Sequence, residues 1–145
     1  MINIGITGST GILGKSLIYF LKKNKKFKIN CYLGNILNIS KINKWIKENQ
    51  FDVILHLAAI VPTKEVNKNY KLAKKINIDG TKNLINSIKK NQKSKPFLFF
   101  SSSSHVYSFS NKIISEKHKT YGITKYGRTK LLAEKILLKN LKFYN

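Results

Sequence analysis

Tyr126 and Lys130 stand four residues apart in YGRTK, a spacing that puts both on one face of a helix, about 6 Å apart along its axis. A free tyrosine loses its proton near pH ~10, so acid–base work at neutral pH needs a downward shift of roughly 3 units, or about 4 kcal/mol. A lysine ammonium about 4 Å from the phenolate supplies that much at an effective dielectric of 20. In a chain with so many lysines the pattern is easily met, and Tyr121 with Lys125 (YGITK) meets it as well. A second group of oxygens is the run Ser101–Ser104, at the end of the apolar stretch Phe97–Phe100. In a doubly wound sheet ligands bind beyond the carboxyl ends of the strands, where a serine hydroxyl can orient a substrate oxygen for proton transfer.

A third feature is Thr7-Gly8-Ser9-Thr10-Gly11-Ile12-Leu13-Gly14, which follows an apolar run from Met1. Between a strand and a helix, such a turn aims backbone N–H groups and the positive end of the helix dipole at a pyrophosphate. Gly8 makes the tight turn, Gly11 lets the backbone approach the phosphates, and Gly14 lets helix pack on strand. A ligand-free tight turn is one rival reading. A P-loop is another, since Gly14-Lys15-Ser16 matches the end of its motif, but Ser9 stands where that motif needs glycine.

These groups must be positioned by alternating elements. Apolar runs at Met1–Thr7, Phe27–Leu33, Asp52–Leu57 and Phe97–Phe100 read as strands, all but the second as buried ones. Helical spacing joins Ile12, Leu13, Leu17, Ile18 and Leu21; Ser40 reads as the cap of a helix burying Ile42, Trp45 and Ile46. A long helix is expected from about Asn67 to Lys90 with Leu72, Ile76, Leu84, Ile85 and Ile88 inward, and a last one from about Tyr121 to Lys139. Leu141–Tyr144 reads as the start of a further strand. Strand–helix alternation predicts one α/β domain over residues 1–145, a doubly wound parallel sheet.

Composition narrows the class. The 145 residues carry 28 Lys+Arg against 6 Asp+Glu, a formal net charge of +22, and 27 of the basic residues are Lys. Lys, Ile and Asn together supply 63 residues, which points to AT-rich codons; the lysines are spread over every helix and only Arg128 is Arg, so nucleic-acid binding is the minor reading. The single Cys31 excludes a disulfide scaffold and suits a reducing, cytoplasmic setting. No apolar run reaches the roughly 18–20 residues that span a bilayer, and no secretory leader pattern is present, so no membrane partner is expected. No metal-ligand cluster is expected either.

In order along the chain, these motifs resemble the extended short-chain dehydrogenase/reductase family, the NAD-dependent epimerases and dehydratases. Thr7–Gly14 resembles its TGxxGxxG turn, Asp52–Ala59 (DVILHLAA) its DvViHlAA strand and loop, and Asn77–Leu84 (NIDGTKNL) its NxxGTxNL helix. Ser101–Tyr107 resembles SSSxxVYG and Tyr126–Glu134 resembles YGxSKxxxE. The resemblance implies a Rossmann-type fold, NAD or NADP as cofactor, and a nucleotide-sugar substrate epimerised or reduced, in cell-surface polysaccharide synthesis. It selects Ser103, Tyr126 and Lys130 as catalytic, with Glu134 marking this tyrosine over Tyr121. Tyr126 would exchange the proton; Lys130 would lower its pKa and hold the nicotinamide ribose; Ser103 would bond the reacting oxygen. The cofactor would lie on Gly8, Thr10, Gly11, Ile12, Leu13, Gly14, Asn35, Ile36, Leu57, Ala58, Ala59, Asn77, Tyr126 and Lys130.

Departures matter too. Gly34-Asn35 stands where the family has Gly-Asp, and no acidic or arginine residue follows to choose between NAD and NADP. Ser104-His105 replaces the Asp-Glu of sugar dehydratases, which disfavours dehydration. Family members continue with further strands and a substrate-gripping C-terminal domain, and a homodimer is the expected partner arrangement. The 145 residues are therefore expected to form the cofactor-binding part and, alone, to bind substrate poorly. The alternative is a dinucleotide-binding module without catalysis.

Overall fold

The computed structural model describes residues 1–61 and 63–145. Four strands, β1 (Ile2–Thr7), β2 (Phe27–Tyr32), β3 (Val53–His56) and β4 (Phe97–Phe100), form one parallel sheet in the order β2-β1-β3-β4. Helices α1 (Ile12–Leu21), α2 (Ile39–Asn49), α3 (Thr63–Lys68), α4 (Tyr70–Lys74), α5 (Gly80–Asn91) and α6 (Lys125–Leu138) connect or follow them. The chain leaves β1 toward one side and returns to pair β3 on the other, so the carboxyl ends of β1 and β3 flank a topological switch point, where such sheets bind ligands.

One face of the sheet is well covered. Ile54 and Leu98 meet Ile42 and Ile46 of α2 and Leu84 and Ile88 of α5, and Phe51 fills the space that Gly5 leaves open. Beside it Ile85, Leu137 and Tyr144 lock α6 against α5 and β4. Each such side chain contributes roughly 1.5–3 kcal/mol on burial.

The opposite face is as apolar but thinly covered. The strand register sets Ile29 and Cys31, Ile2, Ile4 and Ile6, Val53 and Leu55, and Phe97 and Phe99 on it side by side. Among the described residues only α1 lies there, with Leu17, Ile18 and Leu21 half-buried. Ile4 and Ile6 are sealed, whereas Phe97 and Phe99 remain 54% and 45% exposed. The expectation of β4 as a buried strand is thus corrected: its Leu98 and Phe100 are half-buried and its Phe97 and Phe99 exposed.

Local chemistry explains the other differences. Asn38, not Ser40, caps α2, its side chain accepting from the Lys41 N–H at 3.0 Å. The long helix expected from Asn67 is interrupted twice. Asn69 caps a new start by accepting from Leu72 N–H, and a π-turn occupies Lys75–Asp79. The wide turn rotates the helical face, so Ala73 is buried while Leu72 is 41% exposed. The last helix begins at Lys125 because Thr124 caps it, and Gly122 just before has φ +71. Leu141–Phe143 is a 3₁₀ turn; Asn145 then bonds the edge of β4, through Leu98 N–H at 2.8 Å and the Pro96 carbonyl at 3.0 Å.

Candidate functional site

Just beyond the switch point lies a cleft of about 1080 Å³. Its floor is the glycine turn. Gly8 takes φ +73, and a Cβ there would sit 2.6 Å from the Ala58 nitrogen; a Cβ on Gly14 would sit 2.4 Å from the Gly8 carbonyl oxygen. The turn therefore draws β1, the Ala58 loop and α1 together more closely than any side chain permits. No side chain caps α1, whose N-cap is Gly11, and the Ser9 hydroxyl is buried with no hydrogen-bond partner. Free first-turn N–H groups beside an orphaned buried hydroxyl suit an anion. Ile12 and Leu13, 90% and 48% exposed, stand on the cleft wall instead of in the core. Lys15 is not among the lining residues, so the P-loop reading lacks its phosphate-binding lysine.

One side of the cleft is Tyr32–Ile36. The Tyr32 hydroxyl donates to the Asn35 carbonyl at 3.0 Å, and the Asn35 side-chain oxygen accepts from Leu37 N–H at 3.0 Å, leaving its NH₂ group available. Ile36 touches the cleft but is 5% exposed, pressed on Gly80. The other side is Leu57–Val61. Asn77 is absent from the wall: its side chain accepts from Ile60 N–H at 2.7 Å and donates to the Ile60 carbonyl at 3.3 Å and to Thr129 Oγ1 at 2.9 Å. With its amide so engaged, Asn77 is a strut between the Ile60 loop and α6.

At the far end, Ser101, Tyr126 and Lys130 line the cleft together. Tyr121, 63% exposed and ahead of α6, does not, which separates the two Tyr/Lys pairs. Ser103 is not on the wall; its hydroxyl favours the ionised form of the Tyr126 phenol, against the burial that raises the phenol's pKa. Lys130 is 3% exposed, and its ammonium lies 4.1 Å from the centre of the Phe100 ring. Burial lowers it to about 8, with Glu134 pulling the other way. The expected depression of the tyrosine by Lys130 is thus not what governs Tyr126: burial outweighs the groups that favour the phenolate. Glu134 accepts from the Ser102 hydroxyl, joining α6 to the serine run. His105 N–H donates to Ser103 Oγ at 3.2 Å, while its ring Nδ1 lies 3.1 Å from the Thr124 hydroxyl and its centroid 5.9 Å from that of Tyr126.

The sequence assigns no place in this cleft to Ser9, Tyr32 or Ile60, and of the run Ser101–Ser104 the family pattern selects Ser103, whereas Ser101 lies on the wall. The signal for Ser9 was present in its place in the turn just after β1; that for Tyr32, at the end of β2, and Ile60, in the loop after β3, was not, since neither position has a distinguishing residue type.

Residues 4–142 match the NAD dependent epimerase/dehydratase family. The chain is 28% identical over 144 residues to methionine adenosyltransferase 2 subunit beta of Bos taurus, spanning 93% of itself and 42% of that protein. It is 31% identical over 160 residues to the UDP-glucose 4-epimerase of Mycoplasma genitalium, spanning 92% and 46%. Among solved structures, dTDP-4-dehydrorhamnose reductase from Bacillus anthracis in complex with NADP superposes with a TM-score of 0.84 at 25% identity, over 97% of this chain and 50% of that one. The chain belongs to the NAD dependent epimerase/dehydratase family, and it spans about half the length of the relatives it matches.

Proposed function

We propose that the chain is the dinucleotide-binding and proton-handling part of an epimerase or carbonyl reductase that uses NAD or NADP and acts on a nucleotide-sugar. The observation that carries this reading is the opening of a glycine turn, Ser101, Tyr126 and Lys130 onto one cleft. Ser9 and the first-turn N–H groups of Ile12 and Leu13 would hold the pyrophosphate, Asn35 and Ile36 the adenine end, and Leu57–Ala59 the facing wall. The nicotinamide, when bound, supplies or accepts a hydride. Tyr126, a neutral phenol at pH 7 that burial makes still harder to ionise, carries the proton: the phenol donates to a substrate carbonyl oxygen, and in the reverse direction the phenolate takes the proton of a hydroxyl. The Ser103 hydroxyl favours the phenolate left behind and would hydrogen-bond the reacting oxygen. Lys130, mostly charged below about pH 8, supplies positive potential on the same helix face and would hold the nicotinamide ribose.

The thinly covered sheet face, with Phe97 and Phe99 exposed, is where further polypeptide would complete the domain. Without it these residues would bind a nucleotide-sugar poorly. A cytoplasmic homodimer belongs to this reading. A second reading, a dinucleotide-binding module without turnover, is favoured by the 28% identity with a protein named as a subunit.

Calorimetric titration with NAD, NADP and a UDP- or dTDP-sugar tests the proposal. One dinucleotide is expected to bind, and the sugar nucleotide weakly or not at all. Tyr126→Phe, which removes the proton carrier alone, is expected to leave dinucleotide affinity within about threefold, less than 1 kcal/mol. Failure of both dinucleotides to bind would overturn the reading.

A further inference from the structure

His56 ends β3 with its ring 1% exposed, behind the cleft wall and outside the proton-handling group. Both ring nitrogens are bonded: Nδ1 to the Thr7 hydroxyl at 2.7 Å, Nε2 to the Thr81 hydroxyl at 2.9 Å. The direction of these bonds follows from their ends. Thr81 Oγ1 gives its proton to the Asn77 carbonyl at 2.8 Å, so from His56 it accepts, which places the ring proton on Nε2. Nδ1 is then an acceptor and takes the Thr7 proton. Thr7 Oγ1, its proton given away, accepts from Ala58 N–H at 3.4 Å. One proton-ordered chain thus runs from the Ala58 amide through Thr7, His56 and Thr81 to Asn77.

Each end of the chain meets the cleft. Thr7 precedes Gly8, and Ala58 is the residue on which Gly8 closes. Asn77 holds both the Ile60 loop and Thr129, which sits on α6 between Tyr126 and Lys130. The chain works only with a neutral ring. A second ring proton would remove the Nδ1 acceptor and set a cation near Lys130, whose ammonium lies over the same Phe100 ring that neighbours His56 at 5.6 Å. Burial, reinforced by the Lys130 charge, lowers the imidazole to about 3.

We propose that His56 is a positioning residue for the cleft, holding the glycine turn, the Ala58–Ile60 loop and the Asn77 turn at fixed separation through this ordered hydrogen-bond chain. Its effect on cofactor affinity rests on the dinucleotide-binding reading above; its effect on the loop does not.

Two variants each keep half of the chain. His56→Asn retains an acceptor near the Nδ1 position for Thr7, and His56→Gln a donor near Nε2 for Thr81. Ile88→Val, in the core away from the cleft, controls for a general loss of stability. In the ligand-free protein, amide exchange at Ala58 is expected to quicken in His56→Gln and to stay near the parent rate in His56→Asn and Ile88→Val. Affinity for NADH or NADPH, whichever the parent binds, is expected to fall about tenfold in His56→Gln at a temperature where circular dichroism shows it folded, the scale of one lost buried hydrogen bond. If His56→Gln matches Ile88→Val in both readouts, the residue is merely structural and the proposal is overturned. If exchange responds while the parent binds neither dinucleotide, the positioning role stands and the cofactor reading fails. Nitrogen-15 spectra of the parent decide the case even if the variants do not fold. A neutral Nε2–H ring from pH 8 to about 4.5 is expected from a buried, doubly bonded imidazole; a ring protonated on Nδ1, or titrating in that range, overturns the proposal.

Discussion

Replacing Lys130 with methionine is expected to stabilise the protein and to weaken its hold on a dinucleotide. The ammonium is buried and lowered to about 8, so keeping it charged at neutral pH costs about 3 kcal/mol relative to the unfolded chain. Methionine fills similar space without that cost, although the contact with the Phe100 ring is lost, worth about 2 kcal/mol at most. The net gain at pH 7 should lift the melting temperature by roughly 3–6 °C. The sign of the pH dependence follows from the two proton affinities. An unfolded lysine keeps its proton to about 10.5, whereas folded Lys130 releases it above about 8. Between those values the unfolded chain binds more protons, so the parent gains stability as pH rises through that window, and the methionine variant loses that gain. Melting curves at pH 7, 9 and 10.5 check this: the gap between the two proteins should narrow steadily. A variant that melts lower than the parent at pH 7 would show that the ammonium is net stabilising, and the site would not be one where charge is held against stability.

Gly14→Ala should produce the largest loss. The added methyl would lie 2.4 Å from the Gly8 carbonyl oxygen and 2.7 Å from the Ser9 Cα, both backbone atoms with no rotamer to yield. The turn must open, with a destabilisation of about 3 kcal/mol, the upper range for overpacking. Dinucleotide affinity is expected to drop more than about 100-fold, since the first-turn N–H groups of α1 move with the turn. Gly11→Ala is the informative companion. Its methyl would meet only the Gly8 carbonyl, at 3.4 Å, so stability should change by less than about 1 kcal/mol while affinity falls. Thermal melts alongside NADH fluorescence titrations separate the two effects. Equal affinity in both variants would remove the glycine turn from the binding site.

The parts of this fold that were legible from residue order are those with a strong local signature. Strand β1, the turn Gly8–Gly14 and helix α1 follow one another as apolar run, glycines and helical spacing, and Pro96 marks the entry to β4 at Phe97. Tyr126 could be preferred to Tyr121 through the family pattern and not through spacing, because both precede a lysine by four residues. What stayed hidden depends on contacts between distant segments. Asn77 looks like any polar helix residue until Ile60 and Thr129 arrive beside it. The π-turn at Lys75–Asp79 has no composition of its own, and it turned Leu72 outward. Lys130 is one of 27 lysines; the family pattern picks it out, but its burial over Phe100 depends on the fold. Phe97 and Phe99 read as core residues, yet they lie 54% and 45% exposed on the face that α1 covers in part.

The central claim is that a dinucleotide seats between the glycine turn and the Tyr126/Lys130 end of one cleft. Backbone amide shifts of the isotope-labelled protein, followed as NAD and then NADP are added, test it directly. Changes are expected along Ser9–Gly14, at Leu57–Ala59 and at Tyr126 and Lys130, and none at the separate basic groove of about 480 Å³ formed by Tyr70, Lys71, Lys74 and Lys75. Changes centred on that groove, or scattered over surface lysines and abolished by modest salt while the glycine turn stays silent, would contradict it.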